Sequence, residues 1–232
     1  MREKYIYLML SIFILLLACS KEDEDVIDLG YNYYPVETGN YIVYKVEELT
    51  YNEFDLTIDT VNYWLKELVD SAIEPSYESG KAYQLKRYTR ANDTLDWEYK
   101  DVWVVHDDKE NGKVTRAEED SIFVKMIFPY TRNKSWDGNA MNANVEQQIY
   151  RVKTYDLQMT LKLKPNDTSF THTSQINQKE NVNLIEDQRQ DEVYARGVGL
   201  ILKQDIDLEM EVDGTIKGGH DYKWIYAEHG KE

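Results

Sequence analysis

Cysteine, histidine, basic charge and long apolar runs are all scarce in this 232-residue chain, and each scarcity excludes something. The single cysteine, Cys19, cannot form a disulfide within the chain, so stability must come from packing. The four histidines, His106, His172, His220 and His229, stand far apart, with no pair at zinc-ligand spacing, so no histidine metal centre is expected. Basic residues number 27 against 43 acidic ones, a net charge of −16, which repels phosphate and argues against a nucleic-acid partner. The one long apolar run, residues 5–18, is too short to cross a bilayer. No G-x-S-x-G occurs, and Gly197-Val198-Gly199 lacks both the third glycine of a dinucleotide fingerprint and the lysine of a P-loop. It reads instead as a bend entering a strand. With no catalytic motif, neither enzymatic activity nor a cofactor is expected.

What is present begins at the N-terminus. Arg2 and Lys4 precede the apolar run, which ends at Ala18-Cys19 and is followed by Ser20-Lys21-Glu22-Asp23-Glu24-Asp25. A basic start, a short apolar stretch and a small residue before the cut describe a secretory signal. Leu16-Leu17-Ala18-Cys19 resembles the lipobox of bacterial lipoproteins, in which the signal is removed before a cysteine that then carries acyl chains. The resemblance implies a signal peptide over 1–18, lipidation at Cys19 and a membrane partner reached through those chains. Several acyl chains together hold a protein stably at a membrane. The acidic run resembles the signal that sends Bacteroidota lipoproteins to the outer face of the outer membrane, and it also suits a solvated tether over 19–32, because clustered like charges stay extended. Removing the signal leaves 25 basic and 42 acidic residues, or −17.

Period-two alternation recurs along the rest and predicts a mainly β fold: a single antiparallel domain over 33–232, a strongly curved sheet or open barrel with few or short helices. The clearest case is residues 205–213, five acids alternating with four apolar residues. Residues 155–164 repeat the pattern with lysines, and would offset those acids if the two strands were neighbours. Further strands are expected over 41–50, 60–72, 83–90, 97–105, 121–128, 147–153, 199–203 and 222–226. Asp107-Asp108-Lys109-Glu110-Asn111-Gly112 reads as a hairpin tip and Asp213-Gly214 as a tight turn. Residues 177–191 look polar and irregular, with at most one short helix.

Carboxylates are too abundant for a catalytic pair to be singled out, although two at the right separation would define a carbohydrate-active enzyme. Calcium is the metal best suited to loops such as Asp137-Gly138-Asn139 or Asp107-Asp108, yet no twelve-residue calcium loop matches, and no metal site is assigned. Trp97, Tyr99, Trp103 and Tyr33-Tyr34 form the richest aromatic group, more in keeping with packing than with ligand stacking. Four triplets, Asp59-Thr60-Val61, Asp70-Ser71-Ala72, Asp93-Thr94-Leu95 and Asp120-Ser121-Ile122, resemble the O-glycosylation site of exported Bacteroidota proteins. The resemblance implies glycans on Thr60, Ser71, Thr94 and Ser121, on exposed turns.

Three longer segments resemble a group of Bacteroidota lipoproteins. They are Tyr33-Tyr34-Pro35-Val36-Glu37-Thr38-Gly39-Asn40-Tyr41, then Phe128-Pro129-Tyr130 with Trp136-Asp137-Gly138-Asn139-Ala140, and last Glu192-Val193-Tyr194-Ala195-Arg196-Gly197-Val198-Gly199-Leu200. The resemblance implies an envelope lipoprotein and brings no activity with it. The expected role is non-enzymatic, a binding or structural module whose glycan, lipid or protein ligand is left open. One alternative is a carrier of an acyl or other apolar ligand in the mouth of a curved sheet; the other is the carbohydrate-active enzyme.

Overall fold

Residues 27–74, 79–162 and 167–232 are described by the computed structural model, and nearly all of the alternating stretches in them become hydrogen-bonded strand. The strands are β1 (Asn40–Tyr51), β2 (Ile58–Ile73), β3 (Lys81–Arg90), β4 (Glu98–Asp108), β5 (Lys113–Glu118), β6 (Ser121–Ile127), β7 (Ser135–Asp137), β8 (Ile149–Leu161), β9 (Thr168–Val182), β10 (Glu186–Ala195), β11 (Gly199–Met210) and β12 (Ile216–Lys231). They form one antiparallel sheet ordered β6-β5-β4-β3-β2-β1-β12-β11-β10-β9-β8-β7. Every neighbour is a hairpin partner except β1 and β12, whose pairing from Asn40↔Lys231 to Tyr51↔Gly219 joins the two halves. The helical pieces among the described residues are two 3₁₀ turns, Tyr31–Tyr33 and Lys109–Asn111.

The sheet curls until its edges meet. Val124 N of β6 donates to Gly138 O beside β7 at 2.9 Å, and Ile122 N donates to Asn142 Oδ1 at 2.8 Å. Trp136 of β7 donates its indole N–H to Val124 O at 2.7 Å. The result is a nearly closed barrel, with this seam protecting both edges. Gly138 is needed here because a Cβ would lie 2.3 Å from the Tyr150 ring, which packs edge-on against Trp136. The inward side chains, among them Tyr44, Val46, Leu65, Trp103, Met126, Val152 and Trp224, form the main core. On β10 they alternate with Val193 and Ala195, which join Leu161, Ile201 and Tyr226 in a second cluster.

The structure corrects several expectations. Residues 177–191 hold the end of β9 and the start of β10 and carry no helix. Apolar alternation is missing there because side chains such as Gln178, Gln190 and Glu192 face other polar groups. The separate strands expected around 147–153 and 155–164 fall in one long strand, β8 (Ile149–Leu161), and those expected over 199–203 and 205–213 fall in β11, which stops at Met210 and leaves Val212 exposed in the turn. Because β9 and β10 separate β8 from β11, the two are not neighbours, and Lys162, just past β8, pairs with Asp167 instead of with the acids of β11. Ahead of β1, Leu29 O accepts from Tyr130 N at 2.9 Å and Asn32 O accepts from Gly197 N at 2.8 Å, so these residues pack on the barrel.

Trp136→Phe keeps the ring and removes the seam hydrogen bond, leaving Val124 O without its indole donor. Urea unfolding is expected to show a loss of about 1–3 kcal/mol, with an unchanged far-ultraviolet spectrum.

Candidate functional site

At one end of the barrel, residues 28–36 lie across the lumen as a plug. The Tyr33 ring packs on Tyr130 and Tyr155 with centroids 5.2 and 5.7 Å away, Tyr31 packs on Phe128 at 4.8 Å, and Tyr34 on Tyr194 at 5.7 Å. Arg196 clasps the segment from outside. Its guanidinium binds the Asp28 carboxylate, lies 3.5 Å from Asp156 and stands 4.9 Å over the Tyr33 ring. Asp156 reaches it from a residue at φ 58° within β8, a conformation that disturbs the β8–β9 register and turns this side chain toward the plug. The Gly30 amide and then Arg196 hold the Asp28 carboxyl below its usual range, while burial pushes the Tyr33 phenol up to about 12.

Beneath the plug lies a cavity of about 300 Å³. Val69, Leu85, Val105, Tyr44 and Leu200 supply an apolar wall, and Asn40, Tyr41, His229 and Lys231 stand at the mouth. Gly199 closes one side. At φ +102° it adopts a conformation that disfavours other residues, and a Cβ would press on Ile42 Cδ1 at 3.3 Å. The inner end carries two charged groups, Glu67 and Arg116. Glu67 is buried, its carboxylate 3.6 Å from Arg87 and 3.8 Å from Arg116, and its Oε1 accepts no hydrogen bond among the described residues.

These charges belong to a network across the middle of the lumen. Arg116 donates through Nε to Glu118 at 2.7 Å, and Lys125 donates to Glu192 at 2.6 Å. Glu192, fully buried, also accepts from Tyr194 OH at 2.7 Å. Arg87 stacks on Trp103, 3.4 Å from the ring centroid, and donates to Asp101 at 3.2 Å. Burial opposes ionisation of Glu118 and Glu192. Arg116, Lys125 and Lys203 outweigh it for Glu118, and Lys125, Lys203 and Arg116 do so for Glu192, so both carboxyls lie below the usual glutamate range. Burial lowers the Lys125 pKa even with Glu192 beside it. Sequence reading missed this network, because its members lie on six strands, β2 to β6 and β10, and one of them, Lys125, sits at a register slip between Val114↔Met126 and Thr115↔Val124.

The residues singled out from sequence have varied placements. Cys19, the acidic run and the signal segment lie outside the described residues. Thr94 is on an exposed turn and Ser121 opens β6 after one, whereas Thr60 and Ser71 lie within β2, Thr60 exposed and Ser71 half-buried. The aromatic group is dispersed: Tyr33 and Trp103 are buried, Trp97 faces Arg90, and Tyr99 is exposed against Tyr88. Asp137 Oδ1 accepts from the backbone of Asn139 and Gln148, and Asp108 accepts from Ser79 and Asn111, so both loops use these carboxylates to hold turns. Among the described residues no three acidic or histidine side chains converge as metal ligands. By contrast, the three segments that resemble envelope lipoproteins meet at the plug and the seam. Tyr33 packs on Tyr130 and under Arg196, and Tyr34 packs on Tyr194, so each segment contributes to these contacts.

No protein-family model matches this sequence, and no curated protein matches it either. Two solved structures are similar to this chain. One is a protein from Bacteroides fragilis described as exported and as having a YmcC-like fold, at 13% identity and TM-score 0.39, covering 85% of this chain and 98% of that one. The other, from Parabacteroides distasonis, is described as a lipoprotein, at 10% identity and TM-score 0.34, with coverages of 85% and 98%.

The native state holds Glu118 and Glu192 ionised below the unfolded value of 4.5, so the unfolded chain binds more protons as pH falls. The stability they contribute is complete above the ordinary glutamate range and is lost as pH drops from about 5 through the depressed native values. Glu192→Gln is expected to cost about 3–5 kcal/mol at neutral pH, by leaving Lys125 buried without its partner, and to flatten the acid limb of a urea-midpoint profile.

Proposed function

We propose that this protein is an envelope lipoprotein, held to the outer membrane by acyl chains on Cys19, whose barrel carries a short acyl chain or similarly compact apolar ligand. The observation that carries this reading is the apolar cavity and its position. A volume of about 300 Å³ is at the lower bound of ligand pockets, which suits a small apolar guest. Its mouth lies at the same end of the barrel as Asp28, which is nine residues from Cys19, a span of at most about 30 Å of extended chain. A guest leaving the membrane therefore has a short path to the cavity. The role is one of binding and not of turnover: the lumenal carboxyls Glu118 and Glu192 are held ionised by cations, opposite to what a general acid needs. The acidic run after Cys19 supports display at the outer face, and glycans at the four triplets would add hydrophilic bulk there.

Mass spectrometry of protein purified from its native envelope tests these parts separately. An acylated N-terminal Cys19, a copurifying acyl or apolar compound, and glycans on Thr60, Ser71, Thr94 and Ser121 are expected. Cys19→Ser should move the protein from the membrane to the soluble fraction. Val198→Trp, in the turn lining the cavity mouth, should lose the copurifying compound and weaken displacement of a fluorescent fatty-acid probe by about tenfold or more, with an unchanged melting temperature. Probe binding equal to wild type in that variant would refute the cavity assignment, and four unmodified triplets would remove the glycan reading.

A further inference from the structure

The lumen holds a second cavity at the opposite end, separated from the first by the ionic network. It measures about 270 Å³ and differs in chemistry. Its wall is built from Lys125, Lys203, Gln178, Gln190 and Asp205, with the rings of Phe123 and Tyr150 beside them. Two of these side chains reach it through β-bulges. Lys125 falls outside the β5–β6 pairing, and Gln178 falls outside the β9–β10 pairing between Gln190↔Lys179 and Asp191↔Asn177. Bulges commonly re-aim side chains next to functional sites.

The hydrogen-bond inventory of this chamber is unbalanced. Gln148 donates to Gln190 at 2.8 Å, Gln190 donates to Asp205 at 3.1 Å, and Lys125 is taken up by Glu192. Two donors are left over. The Gln178 amide nitrogen is buried and has no hydrogen-bond partner among the described residues. The Lys203 ammonium stands 4.9 Å over Trp224 and forms no ion pair among the described residues, although its charge helps to keep Glu118 and Glu192 ionised. A buried donor without an acceptor is costly, so the Gln178 amide calls for an acceptor oxygen, and the half-buried Lys203 ammonium beside it favours one that carries negative charge. Lys203 is the lining cation that forms no ion pair among the described residues, so a singly charged anion suits the chamber better than a doubly charged phosphate, which would face Glu118 and Asp205 more strongly. Amide and carboxylate groups around the remaining wall suit hydroxyls, and the rings suit a sugar face.

We propose that this chamber binds a small sugar acid, its carboxylate held by Lys203 and the Gln178 amide and its hydroxyls by Gln190 and Asp205. The site is separate from the apolar cavity, and the Val198→Trp variant should leave it intact. The test is calorimetric titration of the full chain with glucuronate and galacturonate, with glucose, acetate and inorganic phosphate as comparisons. At least one uronate is expected to bind, with the three comparison compounds weaker by about tenfold or more, as loss of a charge-assisted hydrogen bond or of the hydroxyl contacts requires. Lys203→Met keeps the aliphatic stem on Trp224 and removes the charge; uronate binding should fall by about tenfold or more while the melting temperature stays near wild type. Gln178→Leu provides the same test should the first variant fold poorly. Absence of uronate binding at millimolar concentration, glucose or phosphate binding as tightly as the uronates, or folded variants that bind uronate like wild type would each overturn the proposal.

Discussion

The interaction on which the rest of the barrel depends is the buried pair between Lys125 of β6 and Glu192 of β10, 2.6 Å apart and almost without solvent contact. An ion moved alone from water into a protein interior carries a penalty of several kcal/mol, so neither residue is tolerable without the other. They belong to strands far apart in the sheet order, and their contact therefore spans the lumen and fixes how tightly the sheet curls. The seam between β6 and β7 follows from that curl, because the strand that carries Lys125 also presents Val124 to Trp136 and Gly138. Arg116, Glu118, Glu67 and Arg87 extend the same layer toward β2 and β3.

At the plugged end, order is imposed by a second arginine. Arg196 sits in the turn between β10 and β11, where Gly197 at φ +73° gives the chain its bend and lets the backbone donate to Asn32 O. Its guanidinium meets two carboxylates and a tyrosine face, so the segment before β1 is tied down by charge as well as by ring packing. Tyr33-Tyr34, Phe128-Pro129-Tyr130 and Tyr194-Ala195-Arg196, distant in sequence, thereby meet at the plug.

The fold class was legible in the sequence because alternation is a local property. Residues 41–50, 60–72 and 83–90 became β1, β2 and β3 almost at the expected bounds, and Asp213-Gly214 turns β11 into β12. The region around 177–191 was not legible for one reason. In β9 and β10 the inward positions include Gln178, Gln190 and Glu192, so the usual contrast between apolar inside and polar outside is absent. The cavities and the network were hidden for a different reason: they depend on register. Lys125 and Gln178 reach the lumen only because one residue is left unpaired in each strand pair, and nothing in the adjacent residues announces a slip.

Barrel size explains why the lumen has this composition. About eight strands enclose a space that side chains just fill, and the diameter grows roughly in proportion to strand number. Twelve strands enclose more than Val and Leu can fill, even with β7 only three residues long. Long side chains close the middle: Trp103 and Trp224 flank the Arg87 guanidinium, and Arg116, Lys125 and their glutamate partners complete the layer. A layer one side chain deep cannot also fill both mouths, so a cavity remains on each side of it. The plug and the apolar strand ends make one chamber apolar, and Gln178, Gln190 and Lys203 make the other polar. The same charged layer that lets a wide barrel stay closed thus separates two spaces of opposite chemistry.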